Sequence, residues 1–61
     1  MDINEEKYIV ATNMKKFGGS FVKCLGETLF HADPINTKKI KETWFEYWKN
    51  YLGMILEEDV F

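Results

Sequence analysis

The sequence predicts an all-α protein of two or three helices that completes its core by self-association. Three observations carry that expectation. Apolar residues recur at helical spacing through most of the chain. Helix-start signals and a glycine pair separate the periodic segments. Finally, ten aromatics in 61 residues are many for a chain that buries only a modest share of its own surface. Aromatics carry large burial per side chain and are enriched at interfaces, so a second copy is the expected source of the missing apolar area.

The last element is the most clearly marked. Asp33-Pro34 supplies an N-cap and then a proline at the first helical position, where its missing N–H is harmless. From that start, a step of about 100° per residue places Ile40, Trp44, Tyr47, Trp48, Tyr51, Leu52 and Ile55 on one side, with Phe45 and Leu56 at its edge. Lys39, Glu42, Glu46, Lys49, Asn50 and Gly53 take the other. The pattern predicts one helix over 34–52 or slightly beyond, with Trp44 and Trp48 largely buried in the natural assembly. Gly53 marks where it ends or loosens. Residues 57–61 form an acidic tail whose Glu57-Glu58-Asp59 run is unfavourable beside a helix C-terminus.

The middle segment predicts a helix over 20–32. Gly18-Gly19 suits a left-handed helix end, and Ser20 suits the next N-cap. Phe21, Cys24, Leu25, Thr28, Leu29 and Ala32 then share a face, with Gly26 on the polar side, where it weakens the helix or admits another backbone. Phe30 points away from that face. It is an isolated exposed residue, a seat for Tyr8 or Ile9 from the N-terminal segment, or a contact to a second chain. The third is the expectation, because it also answers the area deficit. The short turn His31-Ala32-Asp33 makes the two helices antiparallel or sharply bent neighbours.

For the N-terminal segment two readings stand. Asp2 and Glu5 have capping-box spacing, and a helix over 3–17 aligns Ile3, Val10, Met14 and Phe17 while leaving Tyr8 and Ile9 outside. Alternatively Tyr8-Ile9-Val10 belongs to an extended arm that packs across a second copy. Residues 1–61 make a single small domain in either case.

The search for chemistry finds little. The net charge of −2 gives no expectation of nucleic-acid or anionic-membrane binding, and no apolar run approaches the roughly 18 residues of a bilayer span. The single cysteine, Cys24, excludes an intrachain disulfide and reads as a buried thiol in a reducing compartment. No secretory signal is evident, so the expected location is cytoplasmic. Cys24 and His31, seven residues apart, share roughly one helix face, but no third group orients the imidazole. One Cys and one His do not supply four zinc ligands. The glycine pair lacks the spacing of a phosphate loop. No catalytic, cofactor or metal site is therefore expected. Lys38, Lys39 and Lys41 support an alternative, a small transcriptional or nucleic-acid-contacting regulator. Against it, the following helix spends its broad face on aromatics, where a recognition helix presents polar and basic side chains. The interface candidates are Phe30, Trp44, Trp48, Tyr51 and Ile55, with Tyr8 and Ile9.

The run Phe21-Val22-Lys23-Cys24-Leu25-Gly26-Glu27, then His31-Ala32-Asp33, Asn36, Lys39, Ile40 and Phe45-Glu46-Tyr47-Trp48, resembles a group of short uncharacterised helical proteins encoded by bacteriophages and prophages. The resemblance covers roughly residues 17–51. Those proteins carry a proline ahead of the aromatic cluster; here Glu46 follows Phe45 directly, which favours one unbroken helix. The resemblance implies a host-cell cytoplasmic setting and, as partner, another copy, a host protein or a phage protein. It brings no site residue with it.

Overall fold

The computed structural model describes the backbone of residues 1–59 and the side chains of residues 1–54, so the Ile55 side chain lies outside the described residues. Asp2 opens the first helix, its Oδ1 accepting from the Glu5 N–H at 2.9 Å, and α1 runs Ile3–Phe17. Residues 3–17 are thus a helix and not an extended arm. Next come α2 (Ser20–Phe30), α3 (Pro34–Thr43) and α4 (Phe45–Asp59). Asp33 caps α3 through the Asn36 N–H at 2.8 Å, with Pro34 in the first turn.

Among the described residues the helices number four, because the expected continuous helix over 34–52 is broken. Trp44 leaves helical geometry at φ −113° and ψ 42°. Its N–H still donates to Ile40 O, and its own carbonyl accepts from the Trp48 N–H. One residue therefore ends α3 and begins α4, without a proline. The gain is tertiary: the bend lets Lys41 of α3 and Trp48 of α4 both reach Glu6 of α1. Gly53, in turn, lies inside α4 and does not end it.

α1 is the central element and packs against each of the other three. Its Val10, Ala11 and Met14 meet Val22 and Leu29 of α2 and Trp48 of α4, with Ile3, Leu25, Ile40, Tyr47, Tyr51 and Leu52 around them. Asn13 is buried in the same seam, and its Nδ2 donates to Tyr51 O at 2.9 Å. That bond satisfies an amide which would otherwise be costly to bury.

The buried face of α2 differs from the expected one. It comprises Val22, Gly26 and Leu29, with Leu25 half-buried, while Phe21, Cys24 and Thr28 are exposed. Gly26 explains the rotation. A Cβ there would stand 2.8 Å from Met14 Cβ and 3.0 Å from Ala11 O, so α1 and α2 approach closely only across a glycine. The helix ends at Phe30, with His31 as its C-cap.

The α1–α2 link is also made otherwise than expected. No glycine adopts a positive φ, and Gly19, not Ser20, occupies the N-cap of α2. Gly18 is extended, and a Cβ on it would meet Val22 Cγ1 at 2.5 Å. What the position demands is space.

Candidate functional site

Rotating α2 onto Gly26 turns Phe21 outwards, to 54% exposure. There it meets the two aromatics at the α3–α4 break. Phe21 packs edge-on against Trp44 with centroids 5.4 Å apart, and Tyr47 lies 6.2 Å from Phe21 and 6.1 Å from Trp44. Trp44 is 36% exposed and Phe45, the next residue, 47%. Within the protomer Trp44 is thus partly exposed, because the bend at this residue lifts it out of the seam that Trp48 enters.

Beside this aromatic rim lies an open groove of about 770 Å³ between α2 and α3. Cys24, Thr28 and His31 form one wall, Asn36, Lys39 and Ile40 the other, and Trp44 closes an end. Its volume falls in the range of ligand pockets, about 300–1,000 Å³. Cys24 is exposed here, not buried as its apolar-face placement suggested.

The groove's charges are placed on opposite walls. On the α2 side, Glu27 pairs with Lys15 at 2.6 Å, and His31 Nε2 stands 3.7 Å from its other oxygen. The Lys15 hydrogen bond, then the Lys15 charge, holds the Glu27 carboxyl below its ordinary value. Lys39 stands on the α3 side. The imidazole thus faces a carboxylate, although Cys24 shares its wall. Among the described residues no three His, Cys, Asp or Glu side chains gather as a metal site would need.

The other interface candidates disperse. Phe30 sits edge-on to Tyr8, centroids 6.2 Å apart, with Lys15 Nζ 5.5 Å from its ring. It is about a quarter-turn from the buried face of α2, and its ring contacts within the chain are to Tyr8 and Lys15 of α1; Tyr8 stays exposed and Ile9 half-buried. Trp48 is 1% exposed and occupied in the core. Tyr51 is half-buried beside it. Lys41 is drawn away from Lys38 and Lys39 by its ion pair with Glu6 at 3.1 Å.

Phe21 and Tyr47 are the rim residues that periodicity alone places on core faces. The i, i+4, i+7 set Val22, Gly26 and Leu29 was the available signal, once glycine is read as a close-packing residue and not as a polar one.

No family model matches this chain, and comparison with curated proteins and with solved structures finds no match. Among the described residues no helix is long and apolar enough to cross a membrane.

Proposed function

We propose that this chain is a non-enzymatic helical interaction protein that binds protein, a second copy of itself first of all, through the aromatic rim and the groove beside it. The observation that carries the reading is the surface cluster of exposed Phe21 and Trp44 with half-buried Tyr47, three rings in mutual contact. Tyr and Trp dominate binding energetics where they cluster at the centre of an interface. The resemblance to bacteriophage and prophage proteins supports a host or phage protein as a further partner, met in the host cytoplasm.

Analytical ultracentrifugation over a range of concentrations tests the reading. The wild type is expected to exceed its 7.3 kDa monomer mass as concentration rises. Phe21→Ala with Trp44→Ala is expected to weaken association by about thirtyfold, a hot-spot loss of roughly 2 kcal/mol, with helicity retained. Association unaffected by that pair of substitutions would contradict the role of the rim.

A further inference from the structure

Resting on the self-binding reading above, we propose that the α2–α3 groove is a two-fold interface in which the α2 wall of each copy, carrying Glu27, lies against the α3 wall of the other, carrying Lys39. The argument begins with charge. Lys39 has no ion-pair partner among the described residues. Glu27 is held through Oε2 by Lys15, while among the described residues Oε1 faces only His31, at 3.7 Å. That distance is too long for a hydrogen bond, so Oε1 retains capacity to accept one. An acid on one wall and a base on the other is the arrangement that a two-fold axis satisfies twice, since each contact in such an interface occurs in both directions.

Shape and size agree. The projecting rim of Phe21 and Trp44 adjoins the groove, and Trp44 belongs to both. A two-fold pairing can therefore seat each copy's rim beside the other's groove. A stable interface takes about 800 Å² per partner, close to a fifth of the 4265 Å² surface of this chain. An area of that size recruits the rim as well as the groove.

Charge exchange between two full-length variants tests the pairing. Lys39→Glu gives a chain acidic on both walls, and Glu27→Lys one basic on both. Each alone is expected to associate about tenfold or more weakly than wild type, through like-charge juxtaposition. Mixed one to one, they are expected to recover near wild-type affinity as a heterodimer. Alkylation of Cys24 by iodoacetamide, within the groove, should slow as the wild type associates. Wild-type association that neither variant weakens, or a mixture no tighter than its components, overturns this pairing and leaves self-binding intact. A wild type that stays monomeric at millimolar concentration overturns both. Should Glu27→Lys lose helicity by circular dichroism, a salt titration of the wild type replaces it. Association that weakens with salt is then expected, and salt-independent association overturns the pairing.

Discussion

The indole Nε1 of Trp48 donates to Glu6 Oε1 at 2.8 Å, joining α4 to α1 through a carboxylate at the edge of the core. Lys41 Nζ meets the same oxygen at 3.1 Å and stands 5.6 Å from the centre of the Trp48 ring. Three helices therefore converge on one acidic side chain. The Trp48 hydrogen bond lowers the Glu6 pKa from the ordinary 4.5, burial opposes the shift, and Lys41 assists it.

That lowering fixes the sign of a pH dependence. The stabilisation from Glu6 is fully present above its unfolded-state value, near 4.5. It is lost as pH falls through the lower folded value. We expect urea midpoints to decline in that acid range for the wild type, and Glu6→Gln to flatten the decline. Glu6→Ala, which strands the indole N–H, should cost about 1–3 kcal/mol at neutral pH. An unchanged pH profile in Glu6→Gln would remove the carboxylate from this role.

Two glycines should respond oppositely to alanine. A Cβ at Gly26 meets Met14 Cβ and the Ala11 carbonyl at 2.8 and 3.0 Å, neither of which is a movable side-chain tip. Gly26→Ala should therefore destabilise by about 1–3 kcal/mol through overpacking. A Cβ at Gly53 meets nothing within 4 Å, and Gly53→Ala should stabilise α4 by up to about 1 kcal/mol. Equilibrium denaturation of both variants checks the pair.

Phe30 belongs with Tyr8 in this fold. A double-mutant cycle with Phe30→Ala and Tyr8→Ala should give a coupling of about 0.5–1.5 kcal/mol in monomer stability. Association measured by ultracentrifugation should not change in Phe30→Ala. A tenfold loss of association in that variant would return Phe30 to an interchain role.

The two tryptophans should separate cleanly. Trp48→Ala removes a fully buried ring and should cost about 3–5 kcal/mol. Trp44→Ala, at a partly exposed bend, should cost less than about 2 kcal/mol by the same denaturation measurement and act mainly on association.

Much of the helical layout was legible because local signals agreed with the fold. Asp2 and Asp33 cap where their sequence context says they should, and Trp48 lies on the stripe that periodicity assigns to the core. What was not legible depends on contacts distant in sequence. The break at Trp44 carries no glycine or proline, and it serves Glu6, more than thirty residues earlier. The α2 face was misplaced because glycine counted as polar in the periodicity, while the fold packs Gly26 directly against Met14 and Ala11 of α1. That single rotation exposes Phe21 and Cys24 and carries Phe30 towards α1. It also assembles the rim and groove, whose members come from three helices and so leave no pattern in any one of them.

The most direct test of the binding face is an isotope-filtered NMR experiment on a mixture of labelled and unlabelled wild-type chain, which reports only contacts between copies. The account predicts intermolecular contacts from the Phe21 and Trp44 rings and from Ile40 on the groove wall, with none from Phe30. Intermolecular contacts that arise elsewhere and spare Phe21, Trp44 and Ile40 would contradict it.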